Sequence, residues 1–376
     1  MTKRIFVSKI LVLLVLMALV GSCGYLAYRQ WAPEWQKAIQ QQAEQPNPFL
    51  TQPKDVFDPV LPGNPVKLPQ DFAFHEGYQH EWWHYFANVE DRKGNPYGIQ
   101  WTVIRVASDD SERSGWQSPQ LYIVQTVITG QGKIWREQRF ARGGIGQAGM
   151  LSQPFRLWID NWSWRSLGTT PFPGSLAIDT DTFSISLANV AKGPFVLPGE
   201  RGYQVKHELM PLASYAIMAP FVQVKGTLTL GNGSPFNVKG TAWLSKEWGN
   251  NLLNTDRSGW DWFVVNLDEE STLSVNRFRH QNQAPQLSAT LMRNDGKVVV
   301  LEENQIKMRA LQPLDSIDGK SLPLQWQITI PSQHINLTTS ALNIGDWQPF
   351  AVSYWQGPIR AIGSHKAKGF MQLSGY

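Results

Sequence analysis

His80-Glu81-Trp82-Trp83-His84-Tyr85-Phe86-Ala87-Asn88-Val89 decides the fold, and Gly259-Trp260-Asp261-Trp262-Phe263-Val264-Val265-Asn266-Leu267 echoes it. Superposed on Asn88 and Asn266, an offset of 178 residues, the stretches match Trp82 with Trp260, Tyr85 with Phe263 and Val89 with Leu267. After a polar turn each runs into a strand-like segment carrying arginine, Gly98 to Arg105 in the first and Leu273 to Arg279 in the second. Two similar halves of domain size point to an internal duplication.

His80-Glu81-Trp82-Trp83-His84 also satisfies H-E-x-x-H, the zinc-protease spacing that works only on a helix, where both histidines share a face one turn apart. Here bulky aromatics crowd together, a polar turn from Asp91 to Pro96 closes the segment, and an alternating run follows, so the spacing predicts a strand. In an extended chain the two histidines lie about 13 Å apart, too far for one tetrahedral ion. No metal and no cofactor is expected.

The N-terminus carries Lys3, Arg4 and Lys9, then 19 residues from Ile10 to Tyr28 without a charge. That length spans a bilayer, and the charged start with an apolar middle is also the form of a signal peptide. Within it Leu19-Val20-Gly21-Ser22-Cys23 resembles a bacterial lipobox, and Cys23 is the only cysteine of the chain. Residues 1–28 are therefore either a lipoprotein leader modified at Cys23 or an uncleaved membrane anchor. Either way the body is expected on the outer, periplasmic side, because basic residues stay in the cytoplasm. Of the formal net charge of +4, the leader supplies three, and no dense Lys/Arg cluster remains, so a nucleic-acid partner is excluded. With one cysteine there is no internal disulfide, and the fold must rest on its core.

Between residues 29 and 70 glutamine, alanine and proline dominate. Ala32-Pro33-Glu34 reads as the start of a short stalk helix running to about Gln42, followed by a proline-stiffened spacer that holds the body off the bilayer. From Asp71 onward the pattern is short strands and turns, including Leu121–Ile128, Ser175–Leu187 interrupted at Asp179-Thr180-Asp181, Val222–Leu230, Phe236–Trp243, Leu287–Met292 and Leu324–Ile330. Helical periodicity is scarce, which predicts an all-β body large enough for two domains. Seventeen tryptophans, most at strand positions, supply large apolar cores. Trp101 and Arg105 fall on one face of their strand, whereas Asp261 points away from Trp260 and Trp262. A charge among aromatics needs a partner or a ligand, and Glu81 is the natural partner for Arg105.

Four motifs in order, Glu81-Trp82-Trp83, Gly240-Thr241-Ala242-Trp243 leading to Glu247-Trp248-Gly249, Gly259-Trp260-Asp261-Trp262-Phe263, and Tyr354-Trp355-Gln356-Gly357 with the ending Gly369 to Tyr376, resemble the AttH-like family of secreted lipocalin-like proteins, which includes the carotenoid 1,2-hydratases. The resemblance implies two tandem lipocalin-like antiparallel β-barrels, at residues 71–254 and 255–376, behind the anchor and stalk. Some members of that family are encoded with ABC export components, so the resemblance also implies an ABC export system as a partner. Departures stand at Ser245-Lys246, where an Asp-His pair is expected, at His84, where tyrosine is usual, and at Tyr215–Pro220, which replaces a basic stretch.

The leading expectation is a protein that binds an elongated apolar ligand, a lipid, isoprenoid or acyl chain, in an aromatic-lined hollow inside its barrels and open at their mouths. Its walls are expected from Trp82, Trp83, His84, Tyr85, Trp101, Arg105, Trp243, Trp260 and Trp262. The alternatives are a hydratase or hydrolase on an isoprenoid-like substrate and an accessory envelope subunit with packed barrels. Alkene hydration needs a carboxylic acid raised by burial beside aromatic faces that tolerate a cation. Asp261 ranks first for that role, then Glu247, then Glu81; the competing reading of each is a carboxylate locked to arginine or backbone.

Overall fold

The computed structural model describes residues 57–111, 114–207, 212–250, 257–280, 284–312, 315–317 and 319–376. The expected leader, Cys23 and the stalk helix lie outside them. In chain order the first half carries β1 (His80–Asp91), β2 (Pro96–Ala107), β3 (Gln120–Gly130), β4 (Lys133–Arg142), β5 (Ala148–Ser152) and β6 (Phe155–Ile159). It continues with β7 (Trp162–Ser166), β8 (Gly174–Asp179), β9 (Phe183–Ala191), β10 (Tyr203–His207), β11 (Leu212–Leu230) and β12 (Phe236–Gly249). The second half carries β13 (Arg257–Asn266), β14 (Ser271–His280), β15 (Gln286–Arg293), β16 (Val298–Leu301), β17 (Lys307–Ala310) and β18 (Asp315–Ile317). It ends with β19 (Lys320–Leu322), β20 (Gln325–Ile330), β21 (Ile335–Ala341), β22 (Trp347–Gln348), β23 (Tyr354–Gly363) and β24 (Ala367–Leu373).

The fold is all-β. A 12-stranded sheet runs β4-β3-β2-β1-β12-β11-β9-β8-β7-β6-β5 with β10 on β11, and a 10-stranded sheet runs β16-β15-β14-β13-β24-β23-β21-β20-β17 with β22 on β23. Each curls into a barrel-like body around its own core. In both, the first strand pairs with the last and with its own hairpin partner. Asn88 lies opposite Gly98 and Thr241, and Asn266 opposite Thr272 and Lys368. Counted from those positions, Arg105 and Arg279 coincide, as do Trp243 and Phe370, so the repeat read in the sequence is a repeat of register.

Alternation explains most strands: β8 and β9 bury every second residue, with Leu176, Ile178, Phe183, Ile185 and Leu187 inside. β1 does not alternate in burial, because both of its faces are covered. Trp83, Tyr85, Ala87 and Val89 point into the first core, while Phe86 joins Trp243, Val264 and Phe370 in a cluster between the sheets. The Phe86 and Phe370 rings stack there at 4.9 Å. The sheets approach so closely that a Cβ on Gly98 would come within 2.6 Å of the Pro358 ring.

Two segments differ from the sequence reading. β11 begins at Leu212, well before the Val222 start read from the sequence, and Pro220 falls in a bulge where the register with β12 shifts between Ala219 and Val222, which absorbs its missing N–H. The spacer expected through Gln70 does not hold the body away along its whole length. From Phe57 it folds across the mouth of the first sheet, with Val66 buried and Asp58 N–H donating to the Gly77 carbonyl at 2.8 Å.

Candidate functional site

The residues singled out by sequence fall in three places, sorted by strand alternation. The first is the mouth of the first sheet. Glu81, 2% exposed, faces Arg105 across the β1–β2 pair, 3.8 Å away, and Lys246 from β12 at 3.2 Å. Lys246 also donates to the Asp71 carbonyl at 2.9 Å and to that of Ala73, with Trp83 and Trp248 each 5.1 Å from its ammonium. Arg105 donates to the carbonyls of His75 at 2.8 Å and Tyr78 at 2.6 Å. The two cations thus staple the segment before β1 over the mouth, and Glu81 is their shared counter-ion. Burial alone raises the Glu81 carboxyl, but Lys246, His75 and Arg105 more than reverse this and hold it well below the usual carboxylate range. Burial pushes the Lys246 ammonium down to about 8 against the pull of Glu81.

The second is the interior of the second sheet. Asp261, with no exposed surface, accepts from Arg277 at 2.9 Å and from the Tyr376 hydroxyl at 2.8 Å, and lies 3.4 Å from Arg279. Burial raises its pKa, and the two arginines and Tyr376 offset only part of that. This carboxylate ties the C-terminus to the sheet and lies on the face opposite Trp260 and Trp262.

The third is a cleft between the sheets, with ≈ 690 Å³ of empty space counting its open mouth. The first sheet offers Trp82 and His84 from β1, Ser245 and Glu247 from β12, Met218 from β11 and Lys206 from β10. Facing them are Trp260 and Trp262 from β13, Asn276 and Phe278 from β14, and Gln372 from β24. Trp82 meets Trp260 edge-on at 6.4 Å and His84 meets Trp262 at 5.4 Å. Trp260 and Trp262 are fixed by their indole N–H groups, which donate to Gln372 Oε1 at 2.6 Å and Ser274 Oγ at 3.0 Å. Glu247, 29% exposed, pairs with Lys206 at 3.0 Å. Burial raises Glu247, but Lys206 brings it below the ordinary carboxylate value. Burial takes His84 down to about 4 despite the pull of Glu247. At neutral pH the cleft therefore presents an ionised carboxylate paired with Lys206 and an uncharged imidazole.

Of the residues expected to line one cavity, the structure brings together Trp82, His84, Trp260 and Trp262, and it sets the catalytic candidate Glu247 beside them. Trp83, Tyr85 and Trp101 are packed into the first core, with Tyr85 donating to Asn189 at 2.7 Å; Arg105 is a staple and Trp243 belongs to the contact between sheets. The sequence reading missed Lys206, Met218, Asn276, Phe278 and Gln372 as site residues; all but Lys206 lie within stretches quoted above, but nothing in those stretches singled out their side chains. Among the described residues no group of three or more His, Cys, Asp or Glu is placed to hold a metal ion.

Two curled antiparallel sheets in tandem, joined through their first and last strands, define a double lipocalin-like protein. The sequence matches the AttH-like family over residues 59–376, and the chain belongs to that family. The crystal structure of a Nitrosomonas europaea protein assigned as an AttH is similar with a TM-score of 0.75 and 25% identity, over 85% of this chain and 99% of that one. Kievitone hydratase of Nectria haematococca shares the fold at a TM-score of 0.62 and 14% identity, over 87% of this chain and 98% of that one. Comparison with curated protein sequences gave no match.

Proposed function

We propose that this protein binds an elongated apolar ligand of the lipid, isoprenoid or acyl-chain class in the cleft between its two sheets. The observation that carries the reading is that Trp82, Trp260 and Trp262, each on an outward strand face, turn their rings toward a shared gap. The interiors of both sheets, where an aromatic-lined hollow was expected, are instead filled by their own side chains, as the accessory-subunit reading anticipates, so the binding reading rests on the gap between the sheets. The polar groups Glu247, Lys206 and Gln372 on its walls supply orientation. Mass spectrometry of the native full chain, purified gently from membranes, should find a small apolar molecule that Trp262→Ala loses. A protein that arrives empty and takes up nothing from a lipid extract refutes the proposal.

Addition of water to an isoprenoid-like double bond is the second reading, supported by the fold shared with a hydratase. Protonating an isolated alkene needs a strong acid, and neither Glu247 nor His84 is one at neutral pH: Glu247 is ionised beside Lys206 and His84 is uncharged. Glu247 is suited instead to deprotonating a water, which requires a double bond already polarised by a conjugated carbonyl. Incubation with such a compound, followed by a search for a product heavier by one water and absent with Glu247→Gln, tests this. A third role, as an accessory subunit of an envelope export system, predicts transporter components retained on the full chain and an unoccupied cleft.

The body is held at the periplasmic face of the membrane by the N-terminal segment, through a lipid on Cys23 or a spanning helix. Mass spectrometry of the mature N-terminus separates the two; a soluble protein lacking the segment would remove the tether altogether.

A further inference from the structure

Every exposed leucine and tryptophan among the described residues lies at one end of the first sheet: Leu61, Leu68, Trp116, Leu151 and Leu167. Leu167 is 99% and Trp116 78% exposed, which no folding requirement explains. Their common location follows from contacts. The Leu61 backbone exchanges two 2.8 Å hydrogen bonds with the Tyr215 hydroxyl. Leu68 leads into the turn whose Phe72 packs on Phe195 at 4.8 Å, and Phe195 packs on Phe172, at the end of the loop that Leu167 begins. Trp116 sits in the β2–β3 connection close to Gln120, which accepts from the same Arg105 that holds His75 and Tyr78. Leu151 adjoins the β5–β6 turn, whose Phe155 packs on Trp83 at 5.5 Å. The remaining exposed large hydrophobics are valines, isoleucines and Phe140, most of them on strands of either sheet.

The polypeptide reaches the body at this same end. Asp58 is pinned to Gly77 and accepts at its carbonyl from Asn250 at 2.7 Å, and the 56 residues before Phe57 include the uncharged run Ile10–Tyr28. We propose that this rim is a membrane-docking surface: Leu61, Leu68, Trp116, Leu151 and Leu167 seat in the headgroup and upper acyl region of the bilayer that the N-terminal segment enters. Leucine and tryptophan on loops are the side chains that partition to that depth. Tethering brings the mouth of the first sheet to the membrane, and the rim fixes its orientation. The proposal rests on the tethered reading but adds a face to it.

The test places a photo-crosslinking amino acid at Leu167, at Trp116, or at the control Asn232, in the full chain reconstituted into phosphatidylethanolamine–phosphatidylglycerol vesicles. Asn232 is in the β11–β12 turn at the opposite end. All three positions are on loops, so the fold is preserved. Lipid adducts at 167 and 116 should exceed those at 232 by about tenfold. Equal adduct yields in chains that float with the vesicles would overturn the docking face and leave the tether standing. Protein adducts in place of lipid adducts at 167 and 116, in native membranes, would overturn it in favour of a protein partner. Chains that fail to float would remove tether and docking face together.

Discussion

Glu81 balances two buried cations at once, and its substitution shows what that balance is worth. Glu81→Gln leaves Lys246 and Arg105 in a site 1–2% exposed without a counter-charge, and is expected to cost about 3–5 kcal/mol in urea unfolding. Adding Lys246→Met should recover part of that loss, because the remaining Arg105 keeps its carbonyl acceptors; equal losses in single and double variants would show that the staple is not electrostatic. The pH dependence has a definite sign. The folded carboxyl titrates below its unfolded value of 4.5, so its contribution is present above about pH 4.5 and disappears as the pH falls toward the folded value. Wild type should therefore lose more stability than Glu81→Gln between pH 6 and pH 3, measured as the shift in urea midpoint.

At the scale of the strand, β1 alternates in role although every residue from His80 to Ala87 is buried. Trp83→Ala opens a cavity in the first core and should cost about 3–5 kcal/mol of stability with no specific effect on the ligand beyond it. Trp82→Ala, one residue away, removes cleft wall and should lower affinity for the apolar ligand about tenfold, with a smaller loss on unfolding. Affinity and stability measured on both variants check the pair; two identical profiles would mean that the cleft is not the site. This division was partly legible beforehand: the alternation placed Trp260 and Trp262 opposite Asp261, and the paired arginine segments pointed to the repeat. The cleft itself was not legible, because Lys206, Met218, Asn276, Phe278 and Gln372 acquire meaning only when two sheets meet. The aromatic stretch could be read as a strand, but nothing local told which of its faces met solvent, core or a second sheet.

Across the whole molecule the two sheets are joined by amides as much as by rings. Gln100 donates to the Gln356 carbonyl at 2.9 Å, Gln356 donates back to Gln100 Oε1, Gln372 donates to Gln356, and Trp260 donates to Gln372 at the cleft wall. Tyr354 reaches Gln125, and Thr129 donates to Asp346 Oδ1 at 2.7 Å. Glu90 and Lys368 pair across the exposed edge of that contact, whereas Asp346 has no exposed surface and its Oδ2 has no hydrogen-bond partner. Burial pushes it up to about 8, with the Thr129 hydroxyl opposing. A folded pKa above the unfolded 3.8 means that the contribution of the neutral acid is complete below about pH 3.8 and is lost as the pH rises through about 8. The contact between the sheets should accordingly weaken over that window, by a few kcal/mol at most once relaxation is allowed for. Asp346→Asn keeps the shape and cannot ionise, so its unfolding midpoint should stay flatter between pH 6 and pH 9 and exceed that of wild type at the upper end. Because Gln372 and Trp260 connect the same contact to the cleft, ligand affinity in wild type should decline over the same range and in Asp346→Asn should not. A midpoint and an affinity that move identically in both proteins would place the pH sensitivity elsewhere.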